Sequence, residues 1–134
     1  MTSKEYLKNY KNLFLQEENI ENEIEYFKKQ ITKYPNSQIY FHEYLQNEKA
    51  AAEAKLKEIK ATLKEIRRNI KQIDDDFLKD LLIYRYIDFL SWEEITEILS
   101  TKYKQHSLNN VKQYNHNKAL EALQNILDKE TLRQ

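Results

Sequence analysis

The chain has 134 residues, 33% of them Asp, Glu, Lys or Arg, with a formal net charge of zero and a pI near 6.8; that length fits one or two small domains. It contains no glycine, no cysteine and a single proline, Pro35, which excludes disulfides, thiol nucleophiles, thiolate metal sites and glycine-rich phosphate loops. Strand folds depend on tight turns that glycine accommodates without strain, so an all-α protein with few turns is expected. No apolar run approaches membrane-spanning length and the N-terminus lacks a signal-peptide core, so a soluble, cytoplasmic protein without a membrane partner is expected.

From Tyr10 onward the apolar residues Leu13, Ile20, Ile24, Phe27, Ile31 and Tyr34 follow in steps of three and four, with Glu17 interrupting. That is the period of a coiled-coil seam. A second seam runs through Leu45, Ala52, Leu56, Ile59, Leu63, Ile66, Ile70, Ile73 and Phe77. Between them, Pro35 disfavours helix at Tyr34, and Asn36 or Ser37 is suited to cap the helix that follows. The pattern predicts a long antiparallel helical hairpin over residues 1–73, its arms roughly 45–50 Å long at ~1.5 Å per residue. The alanines at 50, 51, 52 and 54 are expected to let another helix approach closely. Two seams of this length exceed what one isolated hairpin buries, so a homodimer through these helices is expected. Near the turn, Tyr34, Ile39, Tyr40, Phe41 and Tyr44 form an aromatic cluster with two readings. They either pack on the neighbouring arm or present a partner-binding surface.

Residues 74–76 are all Asp. They suit a helix N-terminus, although Ile73 and Phe77 also continue the heptad. Neighbouring helical carboxylates project about 100° apart, so no metal site is expected there. A compact head over residues 74–134 is predicted, with helices at about 75–89, 92–101 and 108–127. Phe77, Leu81, Leu82, Ile83 and Ile87 should face inward from the first, and Trp92, Ile95, Ile98 and Leu99 from the second. The third should contribute Val111, Ala119, Leu120, Leu123, Ile126 and Leu127. Arg85 and Asp88 are expected to form at most a local surface pair. Ser91 followed by Glu94 reads as a capping box at a sharp corner between the first two helices, the usual entry to a helix-turn-helix. Ser107 is the expected cap of the third.

Between Glu97 and Glu121 there is no acidic residue. The window holds Lys102, Lys104, Lys112 and Lys118, with His106, Ser107, His116 and Tyr114, and the amides Asn109, Asn110, Gln113, Asn115 and Asn117. Lysines neutralise phosphates and amides pair with adenine edges, so these are the groups a recognition helix needs on double-stranded DNA. The plain alternative is a solvated helix face.

The run Arg85, Tyr86, Ile87, Asp88, Ser91, Trp92, Glu93, Glu94 and Ile95 resembles region 4 of sigma-70-type factors, especially phage-encoded sigma-70 region 4-like transcriptional regulators. The resemblance covers roughly 82–123. Ser107, Val111 and Lys112 match the opening of that family's recognition helix, and His116, Lys118, Ala119, Leu120 and Leu123 its close. Three departures stand out. The turn between Leu99 and Ser107 is several residues longer than the family's, the Val111 to Ala119 spacing is one residue longer, and the arginines common in such helices are absent. The resemblance implies a sigma-region-4-like helix-turn-helix head and a phage or prophage regulator of transcription, with the N-terminal helices serving assembly. A different class of function is a non-enzymatic protein-binding module that docks on RNA polymerase or another host protein through the hairpin. Catalysis is not expected, because three scattered histidines have no companion groups. No catalytic residue and no cofactor is assigned.

Overall fold

A computed structural model describes residues 1–34, 39–104 and 106–133. The expected turn at Pro35, Asn36 and Ser37 lies outside them, as does Gln105. Among the described residues the chain is helical throughout, with no strand. The order is α1 (Ser3–Lys33), α2 (Ile39–Lys71), α3 (Asp76–Leu82) running into a π-helical turn (Ile83–Ile87), α4 (Trp92–Lys102), a second π-helical turn (Asn110–Asn115), and α5 (His116–Arg133).

The chain forms two compact units, one comprising Met1–Lys11 with Glu65–Gln134 and the other Asn12–Lys64. This grouping cuts the chain differently from the expected division into 1–73 and 74–134. The ends of both long helices belong with the head because they carry part of its core. Leu7 and Tyr10 of α1 and Ile66 and Ile70 of α2 are buried there, with Ile73 just beyond α2. The Ser3 amide donates to Gln124 Oε1 at 2.7 Å and its hydroxyl to the Leu120 carbonyl at 2.8 Å, tying the start of α1 to α5. Asn69 Nδ2 donates to Tyr6 Oη and Arg67 Nη1 to Tyr10 Oη, both at 2.8 Å.

In the other unit, Ile20, Ile24 and Phe27 of α1 and Leu45, Ala52, Ile59 and Leu63 of α2 are buried. Glu17 fills the interrupted seam position half-buried, and Tyr34 at the seam's end is exposed. Lys60 bridges to Glu21 at 3.6 Å across the two helices. Of the alanine cluster only Ala52 is buried. Four small residues so close in sequence point around the helix, so they do not make one contact face.

In the first unit the acidic run opens a new helix. The Asp75 carboxylate accepts from the Leu78 amide at 3.1 Å and caps α3, while α2 ends at Lys71. Leu81, Leu82, Tyr86, Ile95, Leu99, Val111, Ala119 and Leu123 fill the interior. Ile98, expected to face inward, is 37% exposed, because Ile95 and Leu99, four apart, already take the buried face of α4. Ser91 forms the capping box: its Oγ accepts from the Glu94 amide and Glu94 Oε1 accepts from the Ser91 amide, both at 3.2 Å.

The corner before Ser91 closes without glycine. Phe89 takes φ 59°, the left-handed region, and the Leu90 amide reaches the Tyr84 carbonyl at 2.9 Å. A bulky residue there is strained by about 1–2 kcal/mol, which glycine would avoid. Phe89→Gly and Phe89→Ala both lose the ring that packs 6.4 Å from Tyr10. The glycine variant is nevertheless expected to be the more stable by about 1 kcal/mol, reversing the usual helix order. Urea denaturation compares them, and a glycine variant equal to or weaker than the alanine one would show that the corner is not strained.

Candidate nucleic-acid interface

The candidate residues gather around the corner. Arg85, in the first π-helical turn, donates from Nη1 to the Leu90 carbonyl at 3.1 Å, and its guanidinium lies 4.5 Å from the Trp92 ring centroid. It thereby clamps the end of one helix to the start of the next. Arg85 was expected to pair with Asp88 if with anything, but a backbone carbonyl and an indole face hold it instead. Trp92 packs edge-on against His116, with ring centroids 4.7 Å apart.

His116 lies mostly inside the fold. Named as a DNA contact, it is only 8% exposed, and its Nε2 sits 2.7 Å from Tyr86 Oη. The His116 amide donates to the carbonyls of Val111 and Gln113, passing over Lys112. In a neutral imidazole one ring nitrogen donates and the other accepts, so the tautomer sets which partner donates in the Tyr86–His116 bond. Burial first, then the positive charges of Lys4 and Arg85, push the imidazole down to about 4.

The remaining sequence-predicted residues divide by surroundings. Lys104, Ser107, Asn109, Asn110, Lys112, Gln113, Tyr114 and Lys118 are exposed. Ser107 Oγ accepts from the Asn110 amide at 3.1 Å, as a cap should, and Lys118 Nζ lies 5.5 Å from the Tyr114 ring centroid. His106 is half-buried, its ring 4.6 Å from that of Phe77. Lys102 is exposed but engaged, with Nζ 2.6 Å from Asp80 Oδ2, which also accepts from Tyr103 Oη at 2.6 Å. Burial works against a charged Asp80, yet the hydrogen bonds from Lys102 and Tyr103 outweigh it and hold the carboxyl below its ordinary range. Burial, then the Asp80 hydrogen bond, pushes the Tyr103 hydroxyl up to about 12.

Lys112, Gln113 and His116 line one side of an open cleft of about 320 Å³, and Tyr86 and Trp92 line it as well. The rest of the lining is Lys4 and Lys8 of α1 together with Arg85, residues that sequence reasoning did not assign to the site. A signal existed, since Lys4, Lys8 and Lys11 recur at four and three residues and share one helix face. The aromatic cluster belongs to the other unit. There Tyr34 and Phe41 pack edge-on with centroids 5.7 Å apart, while Ile39, Tyr40 and Tyr44 are 67%, 88% and 56% exposed.

No protein-family model, curated protein or solved structure matches this chain.

A buried neutral histidine makes stability depend on pH. Between about 6.5 and 4 the unfolded chain binds a proton that the folded chain excludes, so stability is full above 6.5 and falls as pH drops through that window. A shift of this size corresponds to something on the order of 3 kcal/mol once complete. His116→Gln keeps a group able to bond Tyr86 but cannot titrate. Denaturation midpoints measured between about pH 6.5 and 5, above most carboxylate titration, should slope less in this variant than in the parent chain. Equal slopes would mean that another group carries the dependence.

Proposed function

We propose that the protein is a phage or prophage DNA-binding transcriptional regulator that works through a sigma-70 region 4-like helix-turn-helix. The observation that carries the reading is the Ser91 capping box at a corner clamped by Arg85 and Trp92. Beyond α4, a third helical stretch follows whose early residues Asn109, Asn110, Lys112, Gln113 and Lys118 are solvent-exposed. That combination supplies cations for phosphates and amides for base edges on one short stretch. The π-helical turn at Asn110–Asn115 adds support. Such a turn is what one inserted residue makes of an α-helix, and the Val111 to Ala119 spacing is one residue longer than in the family the chain resembles. In this reading α1 and α2 are the arms of an antiparallel hairpin, in keeping with the pairs Tyr6–Asn69, Tyr10–Arg67 and Glu21–Lys60. The seams that suggested a homodimer are largely buried within the single chain, so the reading does not require a second copy.

With Lys104, Lys112 and Lys118 on phosphates, log affinity for duplex DNA should fall against log salt with a slope near −3. Lys112→Ala is expected to weaken all sequences alike and flatten the slope by about one, while Asn110→Ala should mainly erode discrimination between sequences. Fluorescence titration of the duplex flanking the protein's own gene, set beside random duplex at low and moderate salt, measures both. Absence of binding to either at low salt would end this reading.

The exposure of Ile39, Tyr40 and Tyr44 favours a second reading, a protein-binding module that docks on RNA polymerase or another host protein. Replacing Tyr40 and Tyr44 together by Ala should then leave stability within about 1 kcal/mol while biological activity falls. A large loss of stability would place those rings in the folding core instead and remove this reading.

A further inference from the structure

Lys4, Lys8, Arg85 and Lys112 come from three separate stretches of chain and face one cleft, and no carboxylate lines it. Among the described residues, none of these four cations has an ion-pair partner. Lys102, by contrast, is neutralised by Asp80. In a chain whose formal charges cancel, four uncompensated cations around one concavity are a local concentration of field, and low-dielectric walls intensify it. The floor is suited to an oxyanion. Arg85 spends one N–H on the Leu90 carbonyl and keeps further donors in its planar fork. Gln113 adds an amide at the rim, and Trp92 holds the guanidinium from one face. The field is felt inside the protein as well, since Lys4 and Arg85 contribute to keeping the imidazole of His116 unprotonated.

We infer that this cleft is a phosphate seat, in which Lys4, Lys8, Arg85 and Lys112 together bind one phosphate group. A chloride-sized ion would not use the fork of Arg85, whereas phosphate oxygens match its bidentate geometry. The phosphate has two possible sources, the backbone of a duplex lying along Lys112 and Gln113, or a free phosphate such as pyrophosphate. The inference does not depend on the DNA-binding reading.

Trp92 is the only tryptophan in the chain and lines the cleft, so its emission reports occupancy directly. The experiment titrates the full chain with pyrophosphate at constant ionic strength held with chloride, and separately with a duplex. Parent, Lys4→Ala/Lys8→Ala and Lys112→Ala proteins are compared, all three substituted lysines being exposed. Saturable emission changes are expected in the parent, with at least a tenfold loss of affinity in the double variant. A response to the duplex whose salt slope flattens by about one on removing Lys4 and Lys8, as the loss of one seated phosphate requires, identifies the backbone as the source. A response to pyrophosphate alone identifies a free phosphate and leaves the DNA reading without this contact. The inference is overturned if the parent responds to neither probe, or if the parent and the double variant respond alike. In the latter case duplex binding with an unchanged slope would still leave the DNA-binding reading standing.

Discussion

The unit that contains the corner is organised around one buried hydrogen bond, Tyr86 Oη to His116 Nε2. Its two partners sit at the two places where the helices widen into π-helical turns, Tyr86 inside the first and His116 directly after the second. A widened turn leaves backbone groups out of the regular ladder and re-aims side chains. Here the His116 amide bypasses the Lys112 carbonyl and reaches those of Val111 and Gln113. Trp92 packs against the same ring and carries Arg85 on its face. The corner, the start of the third helical stretch and the cleft therefore share one anchor, and burial holds its imidazole well below the ordinary histidine range.

Much of this architecture was legible because helical burial leaves a period. Ile20, Ile24 and Phe27, and Ile59, Leu63, Ile66 and Ile70, were picked from spacing alone and are buried. The capping box was legible because its two hydrogen bonds require particular side chains three residues apart. The compact units were not, because the seams run unbroken through the place where contacts change partners, and periodicity records burial without recording against what. Tyr34 and Ile98 mark the same limit, being apolar, in phase and exposed.

The role of His116 was obscured by its neighbours, since Asn115, His116 and Asn117 read as a polar run suited to a surface. Phase with Ala119 and Leu123 was the better guide, placing His116 on the buried face three residues before one and seven before the other. The lysines of α1 were missed for a different reason. Attention to a stretch free of acidic residues finds cations that are close in sequence, whereas Lys4 and Lys8 meet Lys112 only after the chain has folded back on itself. A charge constellation assembled from distant segments leaves no trace in a local window.

Net neutrality and a cationic cleft are compatible because the charges are unevenly placed, with no carboxylate among the residues that line the cleft. The long helices cancel part of their charge locally, as in Lys28 with Glu25, Lys49 with Glu53 and Lys60 with Glu21. Exposed pairs of this kind add little stability, but they do cancel the far field of the surface that bears them. What remains unpaired then governs the approach of a charged partner within a Debye length, about 8 Å at physiological salt. Lys102 shows how local this selection is, for Asp80 removes it from that field although it lies in the same acid-free window as Lys112. What distinguishes the cleft is therefore the grouping of Lys4, Lys8, Arg85 and Lys112 with no carboxylate in its lining, a quantity that neither the pI nor the count of lysines reports.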